Sequence, residues 1–361
     1  MRSALTPRSV AALHGAIAIS FALTSVATVV GAQVERKSLS GSDVAIFNLA
    51  GRMTVEIGSG SDVVVEITRG GRDGRALRIE SGQIGSSNTL RVLYPSDDIV
   101  YPGINSSWGN SEMRVKSDGT WGSRRRSNED PRVRISSRGR GVEAWADIRI
   151  FVPAGHVLDA HLGVGELIAT RVSGALRLES SAGRVIATGS RGSLTIDVGS
   201  GGVNVRDAHV DQLNIDAGSG GVTVDDVTAR VCKIDTGSGG VTGDRADCRE
   251  LHVDAGSGSV RLDAITATEV RVETGSGGVQ LTMRNSPNVL NVEAGSGGVT
   301  IGLPATASAV VDIESGSGGI ETEFPLRTNR VDRNKLSGTI GDGLGRFRIE
   351  TGSGRVRLRR N

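Results

Sequence analysis

The chain has 361 residues, of which 52 are glycine and few are aromatic (5 Phe, 3 Trp, 2 Tyr). Glycine at about twice ordinary usage, with 8 prolines and no Gly-X-Y triplet, excludes collagen and leaves little for a core of stacked rings. With 42 Lys and Arg against 40 Asp and Glu, the chain lacks the basic excess of a general nucleic-acid binder, so no nucleic-acid partner is expected.

Residues 1–32 carry Arg2 and Arg8, no acid, an apolar run from Ala16 to Val30, and the small-residue exit Val30-Gly31-Ala32. This pattern reads as a cleaved export signal. The alternative is an uncleaved anchor, because the stretch from Val10 to Ala32 is almost long enough to span a bilayer. No cysteine lies near the exit, so nothing supports a lipoprotein anchor. Without Arg2 and Arg8 the acids and bases balance at 40 each.

Residues 33–96 are expected to form N-terminal strands that cap the domain behind them. They include Val55-Glu56-Ile57-Gly58-Ser59-Gly60-Ser61-Asp62-Val63, then alternation to Ile67, and a second alternating stretch around Leu77, Ile79, Leu90, Val92 and Leu93. Residues 97–143 are rich in Ser, Gly, Asn and Arg and read as a mobile insertion loop. Their alternative reading is a basic contact for anionic lipid, cell-wall polymer or nucleic acid. It would be built on Ser123-Arg124-Arg125-Arg126-Ser127, Arg132, Arg134, Arg138 and Arg140, with Trp108, Trp121 and Trp145 nearby.

Residues 144–361 are organised by a recurring hexad: Val-Gly-Ser-Gly-Gly-Val at 198–203, Ala-Gly-Ser-Gly-Gly-Val at 217–222, Thr-Gly-Ser-Gly-Gly-Val at 236–241, and further copies to 351–356. The closing aliphatics stand at 167, 185, 203, 222, 241, 260, 279, 299, 320, 340 and 356, so the period is close to 19. A fixed period of this length marks an array of stacked units. Each unit alternates apolar and polar twice, as in Val203-Asn204-Val205 and Leu213-Asn214-Ile215-Asp216-Ala217, which is the strand period.

Two short strands per unit are therefore expected, joined by the Gly-Ser-Gly-Gly bend and by a second corner near Asp207 or Asp225-Asp226. The links are too short for crossover helices, so equivalent strands stack in parallel. The predicted fold is an all-β parallel β-solenoid of about eleven coils of about 19 residues, roughly 48 Å long at about 4.8 Å per step. Its core columns are 203, 205, 213, 215, 217 and their repeats. Glycine at the bend either supplies positive φ for a tight corner or permits a ligand's close approach; the corner is preferred because every intact copy needs the same bend.

With Ile150-Phe151-Val152-Pro153-Ala154-Gly155 as entry, repeated Gly-x-Val-x-Val strands, and Gly338 to Gly343 with Ile349 to Val356 as exit, the chain resembles the bacterial putative-adhesin family of exported proteins, a domain of unknown function. The likeness covers about residues 148–358. It implies an envelope-associated or secreted, non-enzymatic role.

The conspicuous outward column is acidic. Two residues before each bend stand Asp197, Asp216, Asp235, Asp254, Glu273, Glu293, Glu314 and Glu350, with Glu179 and Glu56 in worn copies. Unit charges at strand spacing repel by roughly 0.9 kcal/mol in water, about 5 kcal/mol over six neighbours. Relief is expected from salt and from the column two residues earlier, where Lys233, His252, Arg271 and Arg348 alternate with Asn214 and Asn291. The alternative is that the carboxylates collect Ca²⁺, although only Gly58 to Asp62 resembles a unit of a calcium-binding nonapeptide array. No other cofactor is expected.

No nucleophile elbow, dinucleotide fingerprint or P-loop occurs. His156, Asp159 and His161 are neighbours in the chain, but on a strand the two histidines face opposite ways. Cys232 aligns with Leu251, three positions after Cys248. If both segments are extended they stand roughly 10 Å apart, beyond bridging range, unless a corner at 244–247 shortens the path; export permits the disulfide. Arg355, Arg357, Arg359 and Arg360 are expected to guard the last open strand edge. The function expected is an exported, non-enzymatic adhesin-like scaffold of the cell envelope or surface, found in the periplasm, on the envelope or secreted. Its partner would be a glycan, cell-wall polymer or surface protein. A polysaccharide-processing β-helix enzyme and a Ca²⁺-dependent envelope sensor are the alternatives.

Overall fold

The computed structural model describes residues 34–103, 110–122 and 130–361. The export signal read at 1–32, Trp108 and Arg124 to Arg126 lie outside the described residues. What is described is all-β, dominated by one long, mostly parallel sheet, with a single short 3-10 turn at Gly74–Ala76.

Val203–Ala217 shows how one repeat makes its share of that sheet. Val203, Val205, Ala208, Val210, Leu213, Ile215 and Ala217 are buried, and the intervening residues are outside. The alternation breaks at Arg206-Asp207 and again at Asp211-Gln212, so each repeat has three short sides rather than the two expected; Ala208 and Val210 line the added side. Pairing to the next repeat runs at an offset of 19, Val203 to Val222 and Ile215 to Ile234, and is renewed from Val222 to Val241. Stacking in register converts each inward position into a continuous apolar column. That burial is the main favourable term for a chain with so few rings.

The first break is a left-handed corner. Arg171, Gly189, Asp207, Asp226, Arg245 and Ala264 stand there with φ of 52°, 71°, 50°, 53°, 55° and 53°. Apart from Gly201 and Gly319, which have φ of 127° and 80°, most of the bend glycines do something else. Of Gly218, Gly220, Gly237, Gly239, Gly256 and Gly258, none has positive φ, but a Cβ on any of them would overlap a backbone carbonyl of the preceding repeat. A tight φ does not explain these six: backbone rests directly on backbone, leaving no room for a side chain.

The two cysteines are bridged, with their Cα atoms 6.0 Å apart. Cys248 pairs with Ala229 and Cys232 with Leu251, as the alignment required. The path is short because the chain turns at Arg230-Val231, so the two side chains enter the core from adjacent sides; the corner at 244–247 is not the one that matters. Both cysteines are buried.

At the N-terminal end the parallel ladder continues through His156–Thr170 to Asp43–Ile57 and then gives way to antiparallel pairs. The segment read as a loop carries its own sheet of Ser111–Arg114, Arg132–Ser136, Asp98–Val100 and Val142–Glu143. Its few apolar residues, Ile99, Met113, Val115, Trp121, Val133 and Ile135, pack on Ala45, Phe47, Leu49, Val164 and Ala182. Asp43–Ile57 is thereby covered on both faces, which is why Val44 to Ala50 is almost unbroken apolar sequence.

The C-terminal end departs from the expected order. Lys335–Ile340 is antiparallel to Ala309–Ser315, so the coil expected to close at Ile340 is not a parallel rung. Val356–Arg360 pairs with Val299–Leu303 on one side and with Ile320–Thr322 on the other. Its arginines therefore do not guard an open edge. Arg355 and Arg357 instead bind Glu321 at 2.7 and 2.9 Å, and the Arg357 hydrogen bond holds that carboxyl below its ordinary range.

Candidate functional site

The acidic column lies beside the bend, on the outer face of the strands that bury Leu213, Ile215 and Ala217. Its spatial order is Glu179, Asp197, Asp216, Asp235, Asp254, Glu273, Glu293, Glu350 and Glu314. The expected adjacency of Glu293 and Glu314 is corrected: Glu350 stands between them. Glu56 belongs elsewhere, close to Arg149 at 3.4 Å.

The two ends of the column are closed by partners. At the first, His161 sits one rung before Glu179, with Nδ1 2.9 Å from Oε2 in an alignment too poor for a hydrogen bond. The imidazole stacks on Phe47 at 4.2 Å, and the Trp121 ring stands edge-on to Phe47 at 5.3 Å. Gly122, at φ 83°, lies so close over the Glu179 carboxylate that a Cβ would overlap it. Met113, Arg114 and Arg132 from the small sheet and Trp121 from the segment between its strands form a cleft with Ser180 and Asp197 there. At the other end, Lys335 Nζ is 2.9 Å from Glu314, and Arg348 Nη2 is 2.6 Å from Glu350.

Between these ends, no ion pair among the described residues reaches Asp216, Asp235, Asp254, Glu273 or Glu293. Of the cations expected to relieve them, Arg348 serves Glu350, whereas Arg271 turns to Glu269 at 2.5 Å. Other arginines are held at the corners, Arg230 on Asp211 at 3.1 Å and Arg245 on Asp226 at 2.5 Å. Three of these open carboxylates, Asp254, Glu273 and Glu293, border a shallow groove that they line together with the paired Glu314 and Glu350 and the bare backbones of Gly256, Gly275 and Gly295. Under the bend, the hydroxyls of Thr236, Thr274, Ser315 and Thr351 accept hydrogen bonds from Gly239, Gly277, Gly318 and Gly354 N–H at 3.1, 3.1, 3.0 and 3.2 Å. They fix the groove floor; Thr-Gly-Ser-Gly in place of Ala-Gly-Ser-Gly was the available signal.

Among the described residues, no three of His, Cys, Asp and Glu converge as a metal site. Asp62 is occupied by the Ser38 and Ser61 hydroxyls at 2.9 and 3.2 Å. His156 Nε2 is 3.1 Å from the Ser61 carbonyl, away from His161. Asp159 lies near Arg177 at 3.5 Å, and burial pushes its carboxyl above the ordinary range.

The Toastrack DUF4097 family model matches residues 146–359, more than half of the chain. The chain belongs to this family. The Toastrack match begins within Trp145–Val152 and ends one residue before Arg360, so it takes in the whole acidic column. No curated protein matches. Among solved structures, the chain is similar to a putative cell adhesion protein from Clostridium sporogenes ATCC 15579 at 10% identity, covering 91% of this chain and 99% of that one, with a TM-score of 0.20. Among the described residues, no helix of this Toastrack chain is long and apolar enough to cross a membrane.

Proposed function

We propose that the chain is an exported β-solenoid of roughly nineteen-residue coils, an adhesin-like scaffold of the cell envelope without catalytic activity. Its carboxylate face takes a neutral glycan or cell-wall polymer. The observation that carries this reading is the run Asp216, Asp235, Asp254, Glu273 and Glu293, which has no ion-pair partner among the described residues and of which Asp254, Glu273 and Glu293 border a glycine floor. Carboxylates accept hydrogen bonds from hydroxyls, and one acceptor per strand spacing suits a ligand that repeats. The bare glycine backbone lets such a ligand lie close. Catalysis needs a distinct local constellation, and the sameness of successive rungs supports binding instead.

The test is sedimentation of the exported form with insoluble wall polymer and with neutral polysaccharides, using Asp→Asn and Glu→Gln replacements made one, two and five at a time. A graded loss of binding with the number replaced is expected. Cleavage of a polysaccharide that one replacement abolishes would make the protein an enzyme, and binding indifferent to all five would remove the face from the function. Melting with Ca²⁺ and with chelator, run alongside, tests the cation alternative: an unchanged midpoint disposes of it.

A further inference from the structure

The chain does not stack in the order in which it is written. Val299 pairs with Val356 and Val356 with Ile320; Leu290 pairs with Phe347 and Phe347 with Val311. Residues 345–361 therefore fill a slot between two stretches that precede them, 289–303 and 309–322. Without them, Val289–Ala294 and Val299–Leu303 present open edges on one side, and Ala309–Ser315 and Ile320–Thr322 on the other. Open edges of this kind are templates for another strand.

The slot is selective. Phe347 and Ile349 are 0% exposed, as is Val356, with Leu358 at 1%. A Cβ on Gly352 or Gly354 would overlap the Gly295 or Gly297 carbonyl, so an entering strand needs the glycine bend. That much is common to the repeats. The pair Arg355 and Arg357, which both bind Glu321, is not: the earlier coils place Gly202 and Asn204, Gly221 and Thr223, or Ser259 and Arg261 there, so at most one arginine. The link to the filling strand is short and glycine-rich. It runs from Gly341 to Leu344, with φ of 55° at Gly341 and 76° at Gly343, and Leu344 is 83% exposed.

We propose that this slot is a strand-acceptor site whose partner is residues 345–361 of a second copy of the chain, so that two copies exchange their last coil. The exchanged form keeps every hydrogen bond of the closed one except those of the link, which is the low-cost route to a dimer. In one copy the segment is tethered beside its slot, and that high effective concentration keeps dilute protein closed. Exchange is therefore promoted by concentration and by opening of the end.

Two preparations of the full chain with different tags, mixed, partly unfolded in denaturant and refolded, are expected to yield particles of doubled mass carrying both tags. Mixing without unfolding yields none. Replacing Gly341 and Gly343 with Val, which resists the positive φ of the closed link, raises the doubled fraction several-fold. A second measurement does not depend on that variant. A protease site inserted beside Leu344 is cut after folding, and the cut protein is given labelled peptide 345–361. Uptake of the label is expected, and it falls several-fold for peptide carrying Arg355→Glu and Arg357→Glu. Single-copy mass at every concentration with both links, together with no uptake, overturns the proposal. Uptake without doubly tagged particles overturns the second copy as partner.

Discussion

Between Val203 and Leu303 the repeats stack in chain order; between Ala309 and Asn361, with the same repeat, they do not. The difference lies in what separates the copies. In the middle, one bend leads straight to the next rung. At the end, Arg327–Val331 and Lys335–Ile340 fold back antiparallel, and Lys335–Ile340 takes the outer edge of Ala309–Ser315. A following coil then has only the inner edge of that strand to join. A repeat sets the register of a rung; the segments between repeats set its place.

If the inserted coil locks the end, emptying its core must cost more there than a bend change costs in the middle. Phe347→Ala is expected to lower stability by about 4 kcal/mol and to split a denaturant transition into two, the earlier belonging to residues 289–361. A single transition would make the two regions one cooperative unit. Loss of the Cys232–Cys248 bridge between adjacent middle repeats should follow, at about 3 kcal/mol, read as the shift in midpoint of the Cys232→Ala, Cys248→Ala double variant. Made in the Phe347→Ala background, the cysteine change should leave the earlier, C-terminal transition where it was.

Glycine gives the sharpest contrast between the regions. Gly239, in the middle, has no positive φ and no room, whereas Gly319, near the end, has φ of 80° and open space around its Cβ position. Gly239→Ala should cost about 3 kcal/mol through overpacking, and Gly319→Ala about 1 kcal/mol through backbone strain. Thermal melting of the two variants decides it: the reverse order would restore the tight-corner explanation for the bend.

The periodicity made the all-β class, the parallel register and the outward acids legible, because each is a column property that alternation alone reveals. Val203, Leu213 and Ile215 could be placed inward from their spacing. Ala208 and Val210 could not, since two breaks in the alternation separate them from the clearer strands. The order of the last coils was hidden for a different reason: every rung satisfies the same edges, so pattern cannot choose among them. The small sheet was hidden by dilution. Its apolar residues are scattered among Arg and Ser, and the stronger clue lay at Val44 to Ala50, whose apolar run, broken only by Asn48, needs cover on both faces. The bend glycines looked like turn formers because their nearest neighbour, the carbonyl of the previous coil, is distant in the chain.

The smallest effect bears on the face itself. Asp235 stands between Asp216 and Asp254, and among the described residues it has no ion-pair partner; Glu350 stands between Glu293 and Glu314 but holds Arg348 at 2.6 Å. Removing a charge from the middle relieves repulsion without leaving a cation behind, so Asp235→Asn should raise stability by about 0.5 kcal/mol. Glu350→Gln, which strands Arg348 beside Asp312 and Asn291, should give no such gain. Because these charges face water, the Asp235 gain should grow at low ionic strength and fade toward 1 M salt, where the screening length of about 3 Å is shorter than the strand spacing. Melting both variants across that salt range checks it. Equal gains would mean that Arg348 does not relieve its neighbour, and a gain that ignores salt would mean that the carboxylates in the middle do not repel.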